Sequence, residues 1–353
     1  MSRSALEPTL NSIVQNTLYL LTPGLYVHRD HQSLRIEEHK ILKLSVPIHN
    51  IESIVIFGPT LISPSAMQLC WENHVGVSFL SDGGRFLARV EGSPQGSVLL
   101  RRNQHQFADQ PNKALSLVRH FLAGKIQNSR WCLLRSSRET DDADEKSTLK
   151  TTAQRIAHLL TSLERVETIE AARGLEGQTA ALYFETFPLH LKPRRRQQFP
   201  FTTRTKRPAR DALNCALSFL YALLRHDCMA ALNAIGLDPY VGYLHADRPG
   251  RESLALDLME EFRSSIDRLV ISSINREAIQ PKHFNIREGG VCELTESGRK
   301  KLVQIYHEKK RDETRHTLLQ QKCRIGQLWF FQARILARVL RGDIPEYTPH
   351  LFR

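Results

Sequence analysis

The sequence predicts an α+β protein in which a small N-terminal β-rich domain precedes a larger all-α C-terminal domain. Three observations carry that reading. Through the first quarter of the chain, apolar residues alternate with polar ones or form short runs closed by Gly and Pro. From about residue 96 they recur at helical spacing instead. Between the two regimes lies Gly92-Ser93-Pro94-Gln95-Gly96, which reads as a linker. The expected domains are therefore 1–95 and 96–353. With 353 residues, 41% of them hydrophobic, the chain has ample material for two cores.

Leu34-Arg35-Ile36-Glu37 alternates, as do residues 42–48, so both are expected strands. Residues 54–57 form a short apolar run ended by Gly58-Pro59. Ser63 before Pro64-Ser65 has the chemistry of an N-cap, and a short helix should reach Trp71. Residues 75–80 and 85–90 resume the strand pattern around a turn at Ser81-Asp82-Gly83-Gly84. In the second domain, Leu115, Val118, Phe121 and Leu122 mark one helix, and Ile156, Leu159, Leu160 and Leu163 another. Residues 141–146, rich in Asp, read as a charged loop. Residues 212–224 are an apolar helix expected at the centre of the second core. Residues 254–274 form an amphipathic helix, and 318–341 a long basic amphipathic one.

The formal net charge is +12, which favours an anionic partner but also fits a protein with basic solvated faces. The six cysteines, Cys70, Cys132, Cys215, Cys228, Cys292 and Cys323, form no CxxC pair or zinc-finger spacing. They read as small buried hydrophobes in a reducing compartment. The N-terminus lacks the apolar stretch of a signal peptide, and no segment reads as apolar for long enough to span a bilayer. A cytoplasmic protein is expected.

Three separated places carry candidate chemistry. Glu176 stands between Gly174 and Gly177; Gly174 suits the end of one helix, with Glu176 in the first turn of the next. A first-turn Glu is also stabilised by the helix dipole alone. His245 lies in a loop punctuated by Gly236, Pro239, Gly242 and Pro249, where a ring nitrogen can face a metal. Asp257 and Glu260 are three apart on one predicted helix, so they are neighbours, and Glu261 is equally close to Asp257. Adjacent carboxylates repel unless a cation or solvent separates them. An acidic solvated face explains this helix as well as a metal site does. Between Glu176 and His245 runs a basic segment, Lys192, Arg194, Arg195, Arg196, Arg204, Lys206, Arg207 and Arg210, free of acidic residues. A metal centre beside a polycation points to chemistry on a polyanion, and first to nucleic acid.

Gly-Leu-Glu-Gly at 174–177, Gly-Leu-Asp-Pro at 236–239, Tyr-Leu-His at 243–245 and Ser-Leu-Ala-Leu-Asp-Leu-Met-Glu-Glu-Phe-Arg at 253–263 together resemble the CRISPR-associated integrase family, Cas-one. The likeness extends over essentially the whole chain, and its C-terminal half is most similar to forms from type I-C systems. The resemblance implies a metal-dependent DNA endonuclease and strand transferase that inserts new spacers into a CRISPR array. It implies Glu176, His245 and Glu260 as ligands of Mg²⁺ or Mn²⁺, with Asp257 as a catalytic neighbour or alternative ligand. Some members carry Asp at the third ligand, where this chain has Glu260. It further implies a homodimer joined through the β-rich domain, a Cas-two dimer bridging two such dimers, and often a Cas-four nuclease. The substrates implied are double-stranded and branched DNA, the prespacer and the CRISPR repeat.

The basic run contains Pro193, Pro200 and Pro208 and therefore reads as a loop. Arg194, Arg195, Arg196, Arg204, Lys206, Arg207 and Arg210 are the expected DNA contacts, holding phosphates without reading bases. Phe199 and Phe201 either stack on a base or pin the loop to the core, and Tyr221 either approaches the reacting strand or is structural. Two other readings compete with the integrase: a metal-dependent nuclease acting on branched DNA in repair, and a non-catalytic DNA-binding scaffold. The chain has no P-loop, which suits a transesterification that needs no nucleotide hydrolysis.

Overall fold

The computed structural model describes residues 11–14, 17–51, 53–73, 75–81, 86–90, 98–206 and 208–352. The chain divides into two compact units, Met1–Pro94 and Gln95–Arg353.

Two sheets and one helix make up the first unit. β1 (Asn11–Val14), β2 (Thr17–Leu20), β3 (Leu25–Asp30), β4 (Ser33–Glu38), β5 (Ile41–Pro47), β6 (Ser53–Phe57) and β7 (Leu61–Ile62) precede α1 (Pro64–Glu72), β8 (Gly76–Leu80) and β9 (Phe86–Val90). One sheet has the order β1-β2-β6-β8-β9 and the other β5-β4-β3-β7. The core holds Leu18, Leu20, Val27, Leu34, Ile36, Ile54, Ile56, Leu69 and Val77. Ser63 caps α1 as expected, its hydroxyl accepting from Ala66 N at 3.2 Å. The turn after Ser81 and the linker at 92–96 lie outside the described residues. The strands β1, β2, β3 and β7 carry no expectation from sequence.

In β5 the alternating residues do not all turn inward. The register between β4 and β5 shifts after Ile36, and Leu42 pairs with Glu37. Leu42 is consequently 43% exposed. Tyr26 pairs with Glu37 on one side and Leu61 on the other, so Leu42, Glu37, Tyr26 and Leu61 form one cross-strand row. Leu61 is 72% exposed and Tyr26 41%, which leaves an apolar outer row on this sheet.

The second unit is built on α2 (Val98–Ala108), α3 (Pro111–Glu139), α4 (Ala143–Leu163), α5 (Ile169–Glu185), α6 (Pro193–Gln198), α7 (Ala212–Ile235), α8 (Ser253–Met259) and α9 (Arg263–Asn275). A short hairpin, β10 (Phe284–Ile286) with β11 (Cys292–Leu294), then leads to α10 (Glu296–Arg311). A second hairpin, β12 (Glu313–Arg315) with β13 (Lys322–Arg324), leads to α11 (Leu328–Arg341). The helix α7 is the core helix, capped by Asp211 onto Asn214 N at 2.8 Å and closed by Gly236 at φ 88°. It runs beyond the expected 212–224 and, contrary to expectation, is long and apolar enough to cross a membrane. Its most apolar window is 78% buried inside the fold, which accounts for that composition.

Three further expectations are corrected. Of residues 141–146, those from Ala143 on are helical: Asp142 is the N-cap, accepting from Asp144 N and Glu145 N, and the acidic first turn complements the helix dipole. The segment 254–274 is two helices joined by a 3₁₀ turn at Glu260–Phe262. The segment 318–341 is helical only from Leu328, because the hairpin consumes its first part.

Candidate active site

The continuous helix α5 carries Glu176 at its middle. The expected helix break at Gly174 does not occur, and the first-turn acid is Glu170. Neither Gly174 nor Gly177 has an atom within 4 Å of where a Cβ would stand, so their helix face is open.

Residues 236–245 form the loop that presents His245, and buried polar side chains fix it at both ends. Gln104 on α2 donates to Asp238 O at 2.7 Å and accepts from Asp238 N at 2.9 Å. Asp257 on α8, fully buried, accepts from the backbone N–H of Tyr243 (2.6 Å), Leu244 (3.0 Å) and His245 (3.0 Å). It also binds His245 Nδ1 at 2.6 Å. A carboxylate has only acceptors to offer, so Nδ1 carries a proton and Nε2 is the ring nitrogen left to face the site. Gly242 is required here, since a Cβ would stand 2.5 Å from Ser253 Cβ and 2.8 Å from His245 O.

The 3₁₀ turn separates Glu260 from Glu261. Glu260 points toward Glu176 and His245; its Oε1 lies 3.9 Å from His245 Nε2 and 2.9 Å from Arg263 Nε. Its Oε2 is buried, makes no hydrogen bond of regular geometry, and lies 2.7 Å from Lys125 Nζ. The same ammonium donates to Glu176 Oε1. Burial pushes the Glu260 carboxyl up, but Arg263, Lys125 and His245 overcome that and hold it at about 2. Glu261 faces away and accepts from Tyr347 Oη (2.5 Å), His350 N (2.6 Å) and Gln332 Nε2 (3.0 Å). Asp257, Glu260 and Glu261 are all buried, so the acidic solvated face is excluded.

The structure therefore brings Glu176, His245 and Glu260 to one cluster and places Asp257 behind His245. Among the described residues, no three His, Cys, Asp or Glu side chains stand close enough together to hold a metal ion. Lys125 occupies the space between the two carboxylates. Two carboxylates gathered on a cation, with an imidazole nitrogen beside them, are donors of the kind a divalent ion takes.

An open cavity of about 280 Å³ adjoins the cluster, lined by Arg173, Glu176, Leu244, His245, Ala246, Arg248 and Arg251. Arg173 also donates to Leu244 O at 2.7 Å. These arginines, with Lys125, Arg263 and Gln104, were not legible as site residues. Arg263, three residues after Glu260, and Arg173, three before Glu176, have spacings that could have revealed them.

The basic run is not the uniform loop expected. Pro193 starts α6, a six-residue helix, because proline suits the first helical position. Arg196 binds Glu145 and Leu191 O, and Arg195 pairs with Glu277. Arg204 donates to Asn214 Oδ1 (2.7 Å) and Ser218 Oγ (3.0 Å) and lies over the Tyr221 ring. Arg194, Lys206 and Arg210 are exposed, and Arg210 donates to Gly289 O. Although the Lys206 side chain reaches solvent, partial desolvation of its ammonium, then the charge of Arg263, lowers it from its ordinary value. Arg207 lies outside the described residues. Phe199 is a core residue packed edge-on to Phe284, and Phe201 stacks on Phe184. Tyr221 is buried and donates to Asp267, which makes it structural.

Residues 18–308 match the family model of CRISPR associated protein Cas1. A CRISPR-associated endonuclease Cas1 of Moorella thermoacetica is 42% identical over 342 residues, spanning 97% of this chain and 99% of that protein. An exonuclease Cas4/endonuclease Cas1 fusion of Geobacter sulfurreducens is 34% identical over 341 residues, spanning 95% of this chain and 60% of the fusion. Among solved structures, a casposase bound to integration product aligns with TM-score 0.81 at 23% identity, over 94% of this chain and 92% of that one. A Cas6-RT-Cas1–Cas2 complex aligns with TM-score 0.81 at 20% identity, over 99% of this chain and 37% of that one. At these identities the solved structures establish a shared fold.

Proposed function

The chain belongs to the family of CRISPR associated protein Cas1 and is an endonuclease and integrase of CRISPR adaptation, and from that premise we propose that Glu176, His245 and Glu260 hold the divalent ion of its active site. The observation that carries this reading is the convergence of two carboxylates from separate elements on one ammonium, beside an imidazole whose other nitrogen is fixed by Asp257. Mg²⁺ and Mn²⁺ both suit the donors.

Integration replaces one phosphodiester by another. A DNA 3′-hydroxyl attacks phosphorus, one P–O bond forms and one breaks, and the proton passes to the departing 3′-oxygen. When bound, the ion supplies Lewis acidity toward the attacking hydroxyl and the phosphate. The protein's part is positional and electrostatic. Asp257 fixes the His245 ring and the loop behind it. Arg263 holds Glu260 in place. Arg173, Arg248 and Arg251 line the adjoining cavity with positive charge suited to the DNA backbone. Arg194, Lys206 and Arg210 extend the phosphate-binding surface, whereas Arg195, Arg196 and Arg204 brace it.

The first unit forms the homodimer through residues before about 95, and the exposed row Leu42, Tyr26 and Leu61 supports that role. A Cas2 dimer is the proposed bridging partner, supported by the solved Cas1–Cas2 complex, and a Cas4 nuclease is a second, supported by the Cas4/Cas1 fusion. A type I-C system, in the cytoplasm, is the proposed setting. The deciding experiment incubates a DNA with free 3′-hydroxyls and a repeat-bearing duplex, with Mg²⁺, Mn²⁺ or chelator. Metal-dependent joined product supports the integrase. Cutting of branched DNA without joining replaces it with a repair nuclease, and binding without strand chemistry with a scaffold.

A further inference from the structure

Lys125 holds the oxygens that the proposed ion needs, and the inference drawn from it rests on the ligand set proposed above. Its side chain projects from α3, is buried, and places one ammonium on Glu176 Oε1 and 2.7 Å from Glu260 Oε2. We propose that Lys125 is the resident counter-cation of the active site, held between Glu176 and Glu260 until a divalent ion displaces it. Metal loading is then an exchange of one cation for another.

Four observations support this. First, Glu260 is buried, and a buried carboxylate stays ionised only with positive partners. Arg263 Nε lies 2.9 Å from its Oε1 and Lys125 Nζ 2.7 Å from its Oε2, both as ion pairs without a regular hydrogen bond, so the two cations share its charge. Second, divalent ions take carboxylate oxygens at about 2.0–2.6 Å, closer than an ammonium nitrogen approaches. Both cations cannot fill the space between the same two oxygens. Third, the neighbouring cation is less free to leave. The Arg263 guanidinium lies 4.9 Å from the centroid of the Tyr221 ring while binding Glu260. Lys125 is a point charge on a flexible four-carbon stem. Fourth, the backbone beneath Lys125 is wedged. A Cβ at Gly124 would stand 2.6 Å from Pro349 Cβ and 3.2 Å from Glu261 Cβ. With α3 fixed there, the side chain is the part that can swing. The consequence is an active site that is charge-balanced without metal and has an apparent metal affinity below what its ligands alone would give.

The test measures Mn²⁺ binding by calorimetry to the full-length wild type, Lys125→Met, Lys125→Gln, Lys125→Arg and Glu260→Gln, with thermal unfolding in chelator and in Mn²⁺. Displacement predicts at least tenfold tighter Mn²⁺ binding in Lys125→Met and Lys125→Gln. It also predicts a lower Tm in chelator and a larger Tm gain on adding Mn²⁺. Lys125→Arg should bind Mn²⁺ no more tightly than the wild type. Unchanged or weaker binding in the neutral variants overturns the proposal, as does tighter binding in Lys125→Arg. If the neutral variants fold only with Mn²⁺ present, the ion has replaced the ammonium and the proposal stands. If they fold in neither condition, Lys125 is a fixed structural ion and the proposal falls. Mn²⁺ binding to the wild type that Glu260→Gln leaves unchanged places the ion elsewhere. That result removes the ligand set along with the exchange.

Discussion

Glu260 and Glu261 are adjacent in sequence and face opposite sides of one 3₁₀ turn. The first meets Lys125, Arg263 and His245, and the second meets Tyr347, Gln332 and the His350 amide. Helix geometry alone treats them as equivalent neighbours of Asp257. The turn gives one to the active site and the other to the C-terminal tail.

Glu176→Ala, His245→Ala and Glu260→Ala should each abolish metal-dependent strand joining and leave the fold intact. Glu261→Gln should leave joining within a few-fold of wild type but lower stability by about 1–3 kcal/mol, because buried donors lose an acceptor. Joining assays paired with denaturant unfolding check both. Loss of joining in Glu261→Gln, with survival in Glu260→Ala, reverses the assignment.

Asp257→Ala removes the acceptor of three backbone amides and of His245 Nδ1. Metal affinity should fall about 10–100-fold, the usual cost of losing the group that orients a ligating histidine. Calorimetry with Mn²⁺ measures it, and wild-type affinity in the variant contradicts the orienting role.

The dimer should depend on the outer row of the first unit. Leu42→Glu with Leu61→Glu places charge on both sides of Tyr26 without touching the core. Light scattering should show a monomer with an unchanged far-ultraviolet spectrum. A persistent dimer moves the interface elsewhere.

Neutralising Arg194, Lys206 and Arg210 together should lower DNA affinity equally for all sequences. The slope of log affinity against log salt should flatten by roughly 2–3 units on duplex DNA, at about 0.9 per phosphate contact. Neutralising Arg196 should instead lower stability, because it binds Glu145 and the Leu191 carbonyl. An unchanged slope in the triple variant removes this surface from DNA binding.

His190 is buried with Nδ1 2.6 Å from Ser136 Oγ. Burial, with Arg268 adding to it, holds its ring down at about 3, against an ordinary 6.5. A folded-state value below the unfolded one contributes stability above pH 6.5, lost as pH falls through the window from 6.5 to about 3. Between pH 6.5 and 5 that loss reaches about 2 kcal/mol at most. His190→Asn should flatten this part of the stability profile, read from urea midpoints at several pH values. A profile identical to wild type contradicts the assignment.

Local pattern reports what local physics sets. The change from alternation to helical spacing near residue 95 matches a change in which faces are buried, and the Ser63 cap was legible because its chemistry lies within four residues. Where two local signals conflicted, tertiary packing decided. Gly174 looked like a helix end, yet α5 runs straight through it, and the acidic residues 141–146 looked like a loop, yet α4 begins within them. The family motifs imply Glu176, His245 and Glu260 from the amino acids alone, and these are the residues proposed as ligands. Lys125 had no local signal, since its partners are 51 and 135 residues away. The basic run between Lys192 and Arg210 was legible as charge, but its division into braced and exposed arginines depends on Glu145, Glu277 and Asn214, brought in by other helices. The sequence by itself determined the family and the order of a strand-rich region before a mostly helical one, and it named the side chains proposed to react. Only the tertiary structure decided which glutamate faces Glu176 and His245 and which cation lies between Glu176 and Glu260. Those relationships arise from helices meeting in space, and no spacing along one helix encodes them.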